Sequence, residues 1–195
     1  MTIGTIILAA GESSRLGQPK QLLEKNGQPL VRHMAQLAHD LNAGPVVVVV
    51  GANAEPIKEA LHDIQVRIVP NPDWKTGMAS SLKVGVDMLE KTFPEAILVL
   101  LTDQPFVSRA LIEQLIETAS STHKGIIASE YGDTQGVPVL FRPEFFEALK
   151  SLEGDTGARK LVQKHPDDVA GVPFEQGNID LDTPEDVANW QSSYE

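Results

Sequence analysis

Two parts of this sequence hold residue types that could do chemistry on phosphate. The first is Gly11-Glu12-Ser13-Ser14-Arg15-Leu16-Gly17-Gln18-Pro19-Lys20, which follows the apolar run Ile3–Ala10. Glycine lets the backbone turn tightly and bring N–H groups close to an anion. Arg15 supplies a planar fork and Lys20 a point charge, both suited to phosphate oxygens. The stretch reads as a polyphosphate cradle or as a solvated strand–helix loop. It is not a P-loop, because no Ser or Thr follows Lys20, and it matches neither G-x-G-x-x-G nor G-x-S-x-G. The second part is acidic. Asp103 follows the apolar run Ala96–Leu101, where a carboxylate would point into a cleft. A hard cation such as Mg²⁺ takes oxygen ligands and keeps several waters, so one or two carboxylates suffice. Asp before x-Pro is equally a turn or cap. Asp180 and Asp182 stand two apart in Ile179–Thr183, and in an extended segment both would face the same way. Asp182 could also belong to a helix cap beside Thr183.

The rest of the composition narrows the choices. The chain has 195 residues, 42% hydrophobic and 22% charged, as expected of a folded globular protein. There is no cysteine, which excludes disulfides, thiolate metal sites and cysteine nucleophiles. His33, His39, His62, His123 and His165 show no metal-ligand spacing. The formal charge of −11 argues against nucleic acid and anionic membranes as partners. Any anionic ligand must be gathered by a local group of cations. No apolar run approaches the roughly 20 residues of a spanning helix. No basic segment precedes the first strand pattern, so a cytoplasmic protein is expected.

The chemistry-bearing residues need elements to hold them. Apolar runs at Ile3–Ala10, Val46–Val50, Gln65–Val69 and Ala96–Leu101 read as strands, the five valines as one buried on both faces. Gly125–Ser129, Val137–Phe141 and Val169–Val172 are further candidates. Leu30, Val31, Met34, Leu37, Ala38 and Leu41 mark one helix face, with Pro29 suited to its first turn. Other helices are expected over about 54–62, 80–91, 107–119 (capped by Ser108), 143–150 and 157–164. Thr183-Pro184-Glu185-Asp186 is a helix start. This alternation predicts an α/β fold: a three-layer, Rossmann-like, mostly parallel sheet with helices on both faces. Ligands then sit beyond the carboxyl ends of the strands, after Ala10, Val69, Leu101 and Ile179.

Leu8-Ala9-Ala10-Gly11-Glu12-Ser13-Ser14-Arg15-Leu16-Gly17-Gln18-Pro19-Lys20 resembles the L-A-A-G-x-S-x-R-x-G-x-x-K signature of MobA-like nucleotidyltransferases. Asn71-Pro72-Asp73-Trp74 with Gly77–Leu82, Leu101–Pro105, Gly136–Phe141, Gly154–Arg159 and Ile179–Asp186 resemble that family's later motifs. The likeness spans nearly the whole chain and leans toward the molybdenum cofactor cytidylyltransferase branch. It implies one domain over residues 1–195, of the nucleotide-diphospho-sugar transferase type. It also implies that a nucleoside monophosphate moves from a triphosphate to the terminal phosphate of molybdopterin, with Mg²⁺ and release of pyrophosphate.

By that resemblance Arg15, Lys20 and Asp103 are catalytic. Leu8, Ala9, Ala10, Gly11, Gly77 and Ser81 join Arg15 and Lys20 around the nucleotide. Asp103 is the first metal ligand and Asp182, ahead of Asp180, the second. Gly136, Pro138 and Arg159 face the acceptor. Ala10, where a glycine could stand, leans toward CTP over GTP. Trp74 flanks the pocket or packs, whereas Asp167, Asp168 and Glu175 read as a solvated face. Alternatives are a guanylyltransferase, another sugar- or alcohol-phosphate nucleotidyltransferase, or an accessory protein that binds cofactor and hands it to a molybdoenzyme or its chaperone. The branch has accessory-like members, one described as a dye oxidoreductase.

Overall fold

The computed structural model describes residues 1–192. In chain order the strands are β1 (Ile3–Ala9), β2 (Glu24–Lys25), β3 (Gln28–Pro29), β4 (Val46–Val50), β5 (Arg67–Pro70), β6 (Ala96–Leu101), β7 (Ile126–Tyr131), β8 (Thr134–Phe141) and β9 (Val169–Pro173). The helices are α1 (Leu30–Asp40), α2 (Ala54–Ala60), α3 (Met78–Leu89), α4 (Arg109–Ser121), α5 (Phe146–Lys150), α6 (Arg159–Lys164) and α7 (Pro184–Ser192). Seven strands form one sheet in the order β5-β4-β1-β6-β8-β7-β9, and β2 pairs with β3 as a separate ribbon. In the large sheet β8 runs against both its neighbours and every other pairing is parallel. This is the expected mostly parallel sheet.

Its two faces bury separate cores. Ile3, Ile7, Val48, Leu98 and Leu100 pack under α1, α2 and α4. Ile6, Leu8, Val47, Val49 and Val99 pack under α3, α5 and α6. Successive residues of one strand serve opposite faces, so a continuously apolar run is what such a strand requires. A third, smaller cluster joins Leu16, Leu23, Leu30, Leu181, Val187 and Trp190. It fastens the segment after β1 to α7. Among the described residues no helix is long and apolar enough to cross a membrane.

Several boundaries depart from the sequence reading. β5 starts two residues later than Gln65, because the Val66 N–H bonds back to the Ile64 carbonyl in a tight turn. α3 begins at Met78 rather than 80, since Gly77 at φ 116° ends the preceding turn there. Pro29 lies one residue before α1, not inside its first turn. Ile179–Thr183 is not a strand. The Ile179 N–H bonds to the Gln176 carbonyl and the Asp182 N–H to the Asp180 carbonyl, which folds the segment into turns. Asp168 is more than solvated surface, since its carboxylate accepts the Gly125 N–H at 2.9 Å. The Ser108 cap holds, with its hydroxyl accepting the Leu111 N–H at 3.3 Å.

Candidate active site

A cleft opens at the carboxyl ends of β1 and β6. It is lined by Leu8, Ala10, Gly11, Lys20, Thr102 and Asp103, and on its other wall by Trp74, Lys75, Gly77, Ser81 and Asp155. The loop after β1 is shaped by Ser13, which sits in the left-handed region at φ 59°. The Ser13 carbonyl accepts the N–H groups of Leu16 and Gly17, and its hydroxyl accepts the Lys20 N–H at 3.1 Å. Gln21, 1% exposed, donates its side-chain amide to the carbonyls of Ala9 (3.3 Å) and Gly11 (2.9 Å). Both ends of the loop are therefore pinned, and Lys20 leaves a fixed backbone.

The Lys20 ammonium reaches between two acids. It donates to Asp103 Oδ2 and, at 2.9 Å, to Asp182 Oδ1. Arg15 donates to Asp182 Oδ2 at 2.7 Å from a side chain that is 72% exposed. Burial pulls the Lys20 pKa down, but Asp103 and then Asp182 outweigh it and raise it above the ordinary value. Burial pushes Asp182 up, but the hydrogen bond and charge of Lys20, then Arg15, hold it below the usual carboxylate range. Both groups are thus charged at neutral pH. Asp182 is held there by its neighbours. The Leu181 N–H donates to the Asp103 carbonyl at 3.0 Å, and the Leu181 side chain is fully buried. One residue on, Thr183 and Asp186 cap α7 reciprocally, each N–H bonding the other's side chain (2.8 and 3.2 Å).

Asp180 takes a different position from Asp182. It is an exposed residue whose carboxyl is nonetheless crowded. Loss of solvation, then repulsion from Asp103 and Asp182, push its pKa up to about 6, against the opposing pull of Lys20 and a hydrogen bond with Gln104. Asp103 Oδ1 is buried with no hydrogen-bond partner. Among the described residues no three acids or histidines converge on one metal-sized point. The site offers two carboxylates with an ammonium between them and one free buried oxygen. That donor set suits a hard cation that keeps most of its water.

The sequence candidates divide when placed in the fold. Leu8, Ala10, Gly11, Lys20, Gly77, Ser81 and Asp103 come together in the cleft. The Ala9 side chain does not: it is 1% exposed and belongs to the core, and only its carbonyl serves the loop. Arg15 stands on the rim. Ser81 lines the cleft and also receives the Asn71 amide at 3.0 Å, which ties the end of β5 to the start of α3. Pro138 is buried in β8, after a cis Val137–Pro138 bond, and its carbonyl accepts from Ser129. Arg159 is exposed and donates to the Thr134 hydroxyl at 2.7 Å.

The glycines are explained by what surrounds them. A Cβ on Gly11 would meet nothing within 4 Å, so that position opens onto the cleft. A Cβ on Gly77 would lie 2.2 Å from the Gly154 backbone, and one on Gly136 2.3 Å from the Tyr131 hydroxyl. Gly136 thus makes room for a tyrosine. Gly177 does the same from the other side, with its Cβ position 2.2 Å from the Tyr131 ring. Tyr131 is clamped with its hydroxyl in the field of Arg159, Asp180 and Asp103. Sequence reasoning passed over Tyr131, because nothing local marks it. It passed over Lys75 too, whose ammonium lies 5.4 Å from the Trp74 ring centre on the cleft wall. The signal for Lys75 was its place inside the Asn71–Leu82 motif. Gln21, directly after Lys20, was missed for want of a charge.

The sequence and the fold are similar to those of known proteins. The sequence profile of the MobA-like NTP transferase domain matches residues 5–169. The chain is 33% identical over 193 residues to the nicotine blue oxidoreductase of Paenarthrobacter nicotinovorans, covering 93% of each. It is 28% identical over 193 residues to the molybdenum cofactor guanylyltransferase of Rhodobacter capsulatus, covering 96% of this chain and 94% of the other. Rv0371C of Mycobacterium tuberculosis, solved as a complex with manganese, superposes with a TM-score of 0.83 at 26% identity, over 99% of this chain and all of that one. A CMP-2-keto-3-deoxy-manno-octonic acid synthetase solved with CTP shares the fold, with a TM-score of 0.76 at 12% identity over 100% and 98% of the two chains. With its cleft at the carboxyl end of a mostly parallel sheet and its signature loop against Asp103, the chain belongs to the MobA-like NTP transferase family and is a nucleotidyltransferase.

Proposed function

We propose that this enzyme transfers CMP from CTP to the terminal phosphate of a molybdopterin-type acceptor and releases pyrophosphate. The observation that carries the reading is the Lys20 ammonium set between Asp103 and Asp182 at one end of a cleft whose Gly11 is open. In a chain of formal charge −11, Lys20 and Lys75 set two cations among the acids Glu12, Asp103 and Asp155 in the cleft that the signature loop borders. Those cations suit a polyphosphate.

The attacking and departing groups are both anionic phosphates, so the protein has to align them and offset charge. Lys20 would hold an α-phosphoryl oxygen as negative charge grows there. Lys75, and Arg15 from the rim, would steady the outer phosphates. The acceptor phosphate would enter past Tyr131, with Arg159 as its cation. Mg²⁺ on Asp103 and Asp182, the residues that fit it, would supply charge neutralisation between phosphates. Asp103 Oδ1, buried and without a partner, supports that assignment. Asp180, whose carboxyl bonds Gln104 whereas Asp182 bonds the Lys20 ammonium, is the weaker second ligand.

Ala10 lines the cleft, and the family resemblance associates alanine rather than glycine at this position with CTP. One methyl discriminates by about 1–3 kcal/mol. The similarity to a guanylyltransferase favours GTP as the second reading. The test is pyrophosphate release with CTP, GTP, ATP or UTP, Mg²⁺ and molybdenum cofactor, alongside a thermal-shift screen of the same nucleotides. CTP should give the fastest release and the largest shift. Faster release with GTP would move the assignment to guanylyl transfer. No release with any triphosphate, despite bound nucleotide, would favour an accessory that hands cofactor to a molybdoenzyme.

A further inference from the structure

Lys20 engages carboxylate oxygens that a divalent ion on Asp103 and Asp182 would also use. Its ammonium takes one oxygen of Asp103 and one of Asp182, and Arg15 takes the second oxygen of Asp182. Asp103 Oδ1 is left buried and unpartnered. The Lys20 backbone is held by Ser13, but the ammonium sits on a flexible four-carbon stem. The side chain is 18% exposed and opens onto the cleft.

We infer that Lys20 is an exchangeable counter-ion. In the free enzyme it neutralises Asp103 and Asp182 and competes with a divalent cation for their oxygens. An arriving triphosphate offers the ammonium a richer anion, draws it away, and opens the two carboxylates to the metal. This rests on the nucleotidyl-transfer reading and adds an order of binding to it. The physical ground is that a buried carboxylate, Asp103, with a half-buried one beside it, is costly to leave without a cation. Lys20 therefore leaves only in exchange, and a metal arriving alone must compete with a tethered, hydrogen-bonded ammonium. Binding of metal and nucleotide is then coupled, each tightening the other by the same factor. Arg15 touches Asp182 alone and is mostly in solvent, so it contributes far less. Lys75 remains in the cleft if Lys20 is removed, which keeps nucleotide binding measurable.

The experiment is Mn²⁺ binding to the full chain, by calorimetry or electron paramagnetic resonance, with and without a CTP analogue methylene-bridged between the α- and β-phosphates. Wild type should bind Mn²⁺ weakly alone and at least about tenfold more tightly with the analogue. Lys20→Met should bind Mn²⁺ alone at least about tenfold more tightly than wild type, and gain less from the analogue. Arg15→Met should change Mn²⁺ affinity by less than about threefold. If Lys20→Met binds Mn²⁺ alone as weakly as wild type while both bind it with the analogue, the exchange is wrong and the transfer reading stands. If neither binds Mn²⁺ with the analogue, the transfer reading falls and the exchange with it. Lys20→Gln repeats the measurement should circular dichroism show that Lys20→Met misfolds.

Discussion

Gly11 lines the cleft and Gly136 lies in β8 outside that lining, yet both stand in family-like motifs. Around Gly11 the Cβ direction is empty to 4 Å. At Gly136 the same direction holds the Tyr131 hydroxyl at 2.3 Å. The first glycine leaves space for something from outside the chain. The second leaves space for another part of the chain. A motif glycine is thus evidence of close approach, and only its surroundings say whether a ligand or a neighbour is approaching.

Perturbing the charged pair beside the first glycine should have the largest effect. Asp103→Ala and Lys20→Ala should each lower turnover by about 10²–10³-fold, while the far-ultraviolet spectrum stays native. Near-normal pyrophosphate release by either would refute the roles assigned to them. Next comes Gly136→Ala, which forces a methyl group onto a clamped ring and should cost about 1–3 kcal/mol. Adding Tyr131→Phe deletes the atom at 2.3 Å and should restore much of the loss in thermal melts. Equal melting of the single and double variants would mean that Tyr131 is not what Gly136 accommodates. Gly11→Ala should leave the melting temperature within about 1 °C, since surface changes that create no clash rarely exceed 0.5 kcal/mol. It should weaken triphosphate binding by about tenfold through lost space in the cleft. Unchanged affinity would turn Gly11 into an ordinary loop glycine.

The smallest effect is one of pH. Asp180 has its pKa pushed from the usual 3.8 up to about 6, so the folded chain holds that proton more tightly than the unfolded chain does. Its contribution to stability is full below about pH 4 and is lost as pH rises through 6. Asp180→Asn should therefore raise the melting temperature at pH 8 by a few degrees, about 1 kcal/mol after allowance for solvent screening, and do little at pH 4. A gain of the same size at both pH values would show that the charge is not the cause.

The centre of the sheet was legible in the sequence because β1, β4 and β6 are buried on both faces and therefore almost wholly apolar, as in Val46–Val50. The loop from Gly11 to Lys20 was legible because its residue types are unusual together in an acidic chain. Ile179–Thr183 was misread because alternating Ile, Leu and Asp look like a strand, whereas the turns are set by Leu181 docking into a distant cluster. Tyr131 was invisible for the same reason: its clamp is built from Gly136 and Gly177, far apart in sequence. Local pattern reports burial and turn chemistry, but a contact between remote segments leaves no trace in either.

The lone reversed strand has an architectural consequence. Because β8 runs back against β7, the two are joined by a tight bend at Gly132-Asp133 beside Tyr131 and Thr134. That bend borders a second hollow, lined by Glu130, Thr134, Gln135 and Gln163, while the cleft lies at the root of the parallel strands. Such a bend can be lengthened, shortened or swapped without rethreading the chain. This scaffold can thus change that edge while leaving the loop from Gly11 to Lys20 and its contact with Asp103 intact.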